Sequence, residues 1–228
     1  MSKSLPSVST PKLALTLPLS GKKIFYRPFV MKEKKAMLLA KESEEWDSIL
    51  ATLKDVVLAC TDGEVDITKI PVTDVGYLFI QMRVQAIGPT LQFMTVCKNC
   101  KEEFQINYDI AGIKIQKDWN PEAMITNDVG IKFKAPTFDI MKFASGDKAD
   151  PERFIASLID QVFDANEVYE SQSVEEYIEW LNTFDDNQMA IIKKKLEEIP
   201  TLEQDIDYKC PKCGHAHNIH LEGLSDFF

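Results

Sequence analysis

The chain has 228 residues, 45% of them hydrophobic and 27% charged, an ordinary balance for a globular protein with one large domain or two small ones. A chain of this size hides roughly 70% of its unfolded surface, enough for a real core. Lys and Arg number 26 against 36 Asp and Glu, and the formal charge of −10 argues against a nucleic-acid binder, whose affinity comes largely from neutralising phosphates.

No run of about 18 apolar residues offers a membrane span, and the Ser/Pro-rich residues 1–12 lack the apolar core of a signal peptide. The expected setting is a cytosol, where the five cysteines stand reduced or metal-bound rather than disulfide-paired.

Residues 1–12 read as a flexible arm. Leu13-Ala-Leu-Thr-Leu-Pro18 and Lys23-Ile-Phe-Tyr-Arg27 flank Gly21 as a hairpin. Lys32 to Lys41 turns helical. A second helix carries Trp46, Ile49, Leu50, Leu53, Val57 and Cys60 on one stripe and ends at Thr61-Asp62-Gly63. A third, Val72 to Ile87, aligns Val75, Leu78, Phe79, Met82 and Ala86. A strand from Thr90 to Val96 leads into Cys97-Lys-Asn-Cys100. Phe104, Ile106, Tyr108 and Ile110 then alternate with polar residues, the period of a half-buried strand. This first half, residues 13–116, is followed by an expected linker at 117–128.

The second half, residues 129–228, opens with a strand from Val129 to Lys134. Asp150-Pro151 caps a helix expected to carry Phe154, Leu158, Val162 and Phe163. Ser173 with Glu176 forms a capping box before Tyr177, Trp180 and Leu181. Gln188 to Ile199 is a further helix, with Asp185-Asp186 at its N-cap, and the whole of Asp150 to Ile199 reads as helical. A strand toward Tyr208, the pair Cys210-Pro-Lys-Cys213, and the run His215 to Leu221 follow. The fold class is α+β, helical segments with β-hairpins.

Both halves run strand, Pro-containing turn, helices, strand, Cys-x-x-Cys, strand. The cysteine pairs lie 113 residues apart (210 minus 97), and the triplets Pro89-Thr-Leu91 and Pro200-Thr-Leu202 lie 111 apart (200 minus 89). This order reads as a diverged internal duplication; chance recurrence of common triplets is the alternative.

Cys97, Cys100, Cys210 and Cys213 carry the chemistry. A two-residue gap lets a tight turn aim both thiolates at one ion, and two such turns complete a tetrahedral zinc shell in a zinc-ribbon-like site. The 109 positions separating Cys100 from Cys210 (210 minus 100, less one) far exceed the usual ribbon spacing, which an inserted segment explains. A closed four-cysteine site holds structure and activates no water. Redox-active pairs, or two two-cysteine sites completed by His215, His217 or His220, are the other arrangements. Cys60, on an apolar stripe, reads as a small buried hydrophobe.

No phosphate loop, nucleophile elbow or His-Glu-x-x-His occurs, so no catalytic constellation is expected. The chain ends on Phe227 and Phe228, which either fold back onto the core or anchor a partner.

Several segments resemble a known family: Arg27-Pro-Phe29-Val-Met-Lys-Glu-Lys34, Ile70-Pro-Val-Thr-Asp-Val-Gly-Tyr-Leu-Phe79, both knuckles, and Cys210-Pro-Lys-Cys-Gly-His215 followed by Gly223-Leu-Ser-Asp-Phe-Phe228. In this order, over residues 13–228, they resemble the baseplate hub and hub-assembly proteins of T-even-type contractile-tailed bacteriophages. The resemblance implies a non-enzymatic hub chaperone or hub subunit. It implies binding to hub or tape-measure proteins in the host cytoplasm or the tail baseplate. The zinc expectation rests on the cysteines themselves. The competing function is a zinc-ribbon accessory factor of transcription or replication.

Overall fold

The computed structural model describes residues 8, 10–43, 45–115, 119–144, 149–170 and 172–223. Most of the expected arm therefore lies outside the described residues. The chain forms two compact units. The first comprises residues 1–66, 74–114 and 202–228; the second comprises 67–73 and 115–201. The C-terminal cysteine segment thus packs with residues of the first half rather than with 129–201.

In the first unit, β1 (Leu13–Thr16) and β2 (Lys23–Tyr26) pair antiparallel from Leu13↔Tyr26 to Thr16↔Lys23. Their turn is fixed from afar. Fully buried Asp74 accepts the Leu19 amide at 2.8 Å and the Ser20 amide at 2.9 Å, so each of its carboxyl oxygens meets a backbone donor. Nothing in the sequence announced that contact.

Helix α1 (Met31–Ser43) begins on a buried Glu33 that accepts the Val30 amide at 2.7 Å and the Arg27 guanidinium at 3.0 Å. Burial works to raise the Glu33 carboxyl, but these two hydrogen bonds outweigh it and hold it below the usual range. Helix α2 (Trp46–Cys60) buries Leu53, Val57 and Cys60 as the stripe demands. Helix α3 (Val72–Ile87) buries Val75, Leu78, Phe79 and Met82, but Ala86 at its end is exposed. Burial pushes the Cys60 thiol up to about 11, so it stays a protonated, inert side chain.

Two hairpins complete this unit. Strands β3 (Thr90–Val96) and β4 (Glu103–Asp109) pair throughout, as do two C-terminal strands, Glu203–Lys209 and Ala216–Glu222.

The second unit is a four-stranded antiparallel sheet in sequential order, with helices. Its strands are β5 (Glu122–Met124), β6 (Val129–Phe133), β7 (Ile159–Asp164) and β8 (Val168–Glu170). Helices α4 (Phe138–Met141), α5 (Pro151–Leu158), α6 (Val174–Leu181) and α7 (Asp186–Glu197) accompany it, and the C-terminal strands of the first unit are therefore β9 and β10. Ile131, Phe133, Leu158 and Ile192 sit at the centre of its core, with Tyr177 and Leu181 from α6. The expected caps form: Asp150 accepts from the Arg153 amide, and Ser173/Glu176 and Asp185/Gln188 make reciprocal boxes.

Three expectations fail here. The expected linker at 117–128 contains β5, paired to β6, and buries Ala123 and Ile125. The stretch from Asp150 to Ile199 is not wholly helical, because β7 and β8 interrupt it. The helix begun at Asp150 stops at Leu158, so Val162 and Phe163 lie on a strand. Phe154, Leu158 and Val162 satisfy a helical spacing, yet Ile159–Asp164 is also a β-favouring run, and pairing with both β6 and β8 decides the outcome. The Phe163 ring lies over Gly130, where an added Cβ would come within 2.3 Å of it.

Candidate metal centre

Each cysteine pair sits in the turn of a hairpin of two seven-residue strands. In the first turn the Cys97 amide donates to the Glu102 carbonyl at 2.8 Å and the Lys101 amide to the Cys97 carbonyl at 3.0 Å. In the second, Cys210 donates to His215 at 2.9 Å and Gly214 to Cys210 at 2.9 Å. Lys101 and Gly214 both take positive φ, 61° and 69°. The turns therefore match position by position at an offset of 113, and the strand registers match at the same offset: Thr90↔Asp109 corresponds to Glu203↔Glu222. The Pro-Thr-Leu triplets do not obey it. Pro89, which accepts the Ile110 amide, corresponds to Leu202, which accepts the Gly223 amide, and not to Pro200.

The two turns bring all four expected residues together. The sulfurs of Cys97, Cys100, Cys210 and Cys213 lie within 4.8 Å of one another, with Cys97–Cys213 at 3.7 Å and Cys100–Cys210 at 3.6 Å. All are free thiols. Zn–S bonds of about 2.3 Å require tetrahedron edges of about 3.8 Å, so the donor set and its spacing suit a tetrahedral thiolate site. The cluster can hold one metal ion and offers it no open position.

The surroundings divide the thiols. Hydrogen bonds from the His215 backbone amide and the Asn99 side chain draw the Cys213 thiol down to about 6, whereas Cys100, despite a backbone hydrogen bond at Glu102, is pushed up to about 12 by desolvation and the neighbouring sulfurs. The Cys100 amide also points at Cys97 Sγ, 3.5 Å away. His217, buried, places Nε2 3.2 Å from Cys97 Sγ. Desolvation, then His215 and Lys98, lower its pKa, so the ring is neutral and with its proton on Nε2 donates to the sulfur. Its face lies against Tyr208 at 5.1 Å, and Tyr208 meets Phe104 of the first hairpin at 5.8 Å. Lys212 of one knuckle pairs with Glu102 of the other at 2.6 Å.

The histidines divide: His217, on β10, is buried beside the sulfurs and meets the ring of exposed His215, which precedes the strand, at 4.7 Å, whereas His220 is exposed and bonded to Asp205 at 2.9 Å. The contact of Asn99 with Cys213 Sγ went unforeseen, whereas His217, a candidate ligand in the sequence, stands beside the Cys97 sulfur. Phe227 and Phe228 lie outside the described residues.

A family model described as T4 bacteriophage base plate protein matches residues 10–228. The chain belongs to that family. No curated protein and no solved structure matches it. As a base plate protein it has a structural, non-catalytic role, and among its described residues no helix is long and apolar enough to cross a membrane.

Proposed function

We propose that this base plate protein works in assembly of the tail baseplate hub, as hub chaperone or hub subunit, by binding hub or tape-measure proteins. One structural zinc held by Cys97, Cys100, Cys210 and Cys213 joins its two hairpins. The observation that carries the reading is the family match over residues 10–228. The convergence of four thiols at tetrahedral spacing supports the zinc. The 113-residue offset shared by the two hairpins supports a duplication in which each copy supplies one knuckle.

Affinity capture of the tagged chain from cells infected with the phage that encodes it tests the assembly role, with partners identified by mass spectrometry. Hub or tape-measure subunits are the expected recovery, and repeating the measurement on purified virions separates a chaperone from a permanent subunit. Recovery of polymerase or nucleic acid instead would overturn the reading in favour of an accessory factor.

A further inference from the structure

The second unit carries a feature that the metal centre does not use. Residues 154–192 contain nine carboxylates and no Lys, Arg or His. This stretch builds β7, β8 and α6, which enclose a cleft of about 380 Å³. Its apolar wall is Val129, Val162, Tyr169, Tyr177 and Trp180, and its polar wall is Asp164, Gln172 and Glu176.

Both acids are ionised and held in place. Asp164 accepts the Asn166 and Glu167 amides and, at 3.0 Å, the Tyr169 hydroxyl. Glu176 accepts the Ser173 amide at 2.7 Å in the capping box. These hydrogen bonds hold both carboxyls below the usual range. Two cations of this unit are paired with other carboxylates, Arg153 with Glu175 and Asp150, and Lys132 with Asp160. The buried Tyr177 hydroxyl has only a loose approach from the Gln172 backbone amide, which leaves its proton for an incoming acceptor.

Strand β8 borders this cleft and is the outer strand of the sheet. All three of its residues are exposed, including Val168 at 57% and Tyr169 at 40%. Because Asp164 and Glu167 close the hairpin, ladder alternation turns Tyr169 inward to Val162 and the backbone groups of Val168 and Glu170 outward. No strand covers that edge among the described residues. Such an edge accepts an added strand, which then presents alternate side chains to neighbouring pockets.

We propose that β8 and its cleft bind an extended basic segment of a protein partner, one Arg or Lys side chain entering between Asp164 and Glu176. The aromatic wall suits the aliphatic stem and the ring faces suit the cation, while the carboxylates complete its charge. Charge selects the occupant. The uncompensated carboxylates repel an acidic segment and attract a basic one, and a second copy of this chain, itself at −10, is the wrong sign. The inference is independent of where the protein acts, so its failure leaves the hub assignment intact.

The probe is a fluorescein-labelled nonapeptide of alternating Val and Thr with a central Arg and flanking Lys, titrated with the full chain by fluorescence anisotropy. Saturable binding is expected, several-fold weaker at about 0.3 M than at about 0.05 M salt. Replacing the central Arg by citrulline should weaken it about tenfold, since citrulline keeps the shape and loses the charge. Glu176→Gln, which keeps the capping box, and Tyr169→Ser should each weaken binding about fivefold or more, whereas Glu197→Gln on α7 should not. Circular dichroism of each variant separates lost binding from lost fold. Equal binding of the Arg and citrulline peptides, equal effects of Glu176→Gln and Glu197→Gln, or no saturable binding would each overturn the proposal. So would a dimer that Tyr169→Ser dissociates, which would give this face to a second copy.

Discussion

The hairpins β3–β4 and β9–β10 share their length, register, turn hydrogen bonds and positive-φ position, yet their outer faces differ. The outer face of β3–β4 carries two carboxylates, Glu103 and Asp109, opposite the uncharged Val96 and Thr90, and between them Gln92, Met94, Gln105 and Asn107, with Met94 66% exposed. That of β9–β10 shows Glu203, Asp205, Asp207 and Glu222, with Glu203 directly opposite Glu222. Like charges facing across a ladder are destabilising, and His220 answers them. It bonds Asp205 and lies 3.9 and 4.0 Å from Glu203 and Glu222, which together hold its pKa above the ordinary value. The inner faces are constrained by four sulfurs that must meet at one point, and the outer faces are not. Four convergent thiols therefore fix backbone while leaving surface chemistry free.

The largest expected effect treats the hairpins as equal. Cys100→Ser in one knuckle and Cys213→Ser in the other should each abolish stoichiometric zinc, measured by mass spectrometry of the metal. Each should also expose both hairpins to proteolysis, because a three-cysteine shell cannot close. Structural zinc is worth about 10–16 kcal/mol in zinc-finger peptides, so chelator treatment of the wild type should reproduce the mutants. One variant keeping its metal and melting temperature would break the equivalence and the shared site with it.

The second effect is an asymmetry. At the 113 offset His217 corresponds to Phe104, so only the second hairpin supplies an imidazole to the sulfurs. His217→Phe keeps an aromatic face for Tyr208 and removes the donor to Cys97. Zinc affinity should fall about 10–100-fold in a competitive chelator titration, with the fold retained. An unchanged affinity would reduce the contact to packing.

The unequal legibility of these regions has physical causes. The knuckles were readable because four chemically demanding residues at fixed spacing admit few arrangements, and the caps at Asp150, Ser173 and Asp185 because capping is local chemistry. Strand β7 was misread because residues 154–163 satisfy a helical and a strand period together, and only the neighbours β6 and β8 settle which is realised. Likewise Ala123 is an unremarkable residue until β6 lies beside it. Asp74 stands in the first turn of α3, and nothing local encodes its bonds to amides 54 and 55 residues away. The triplets misled because both recur just before a strand, while the registers follow a different offset.

The smallest effect lies in one backbone position. Lys101 and Gly214 occupy the same left-handed site, and only glycine enters it without cost. A Cβ at Gly214 would meet nothing within 4 Å, so Gly214→Ala measures conformation alone. It should cost about 1 kcal/mol, or about 2–4 °C in melting temperature. Lys101→Gly should move the other way by up to about 1 kcal/mol, since it relieves the side-chain penalty while adding some unfolded-state entropy. Its side-chain hydrogen bond to the Lys98 carbonyl at 3.2 Å is solvent-exposed and worth little. Opposite signs at equivalent positions would show that both turns demand one geometry and that the first pays for a lysine there. A destabilising Lys101→Gly equal to Gly214→Ala would mean that the first turn draws on the lysine itself, and the equivalence of the knuckles would then end at their sulfurs.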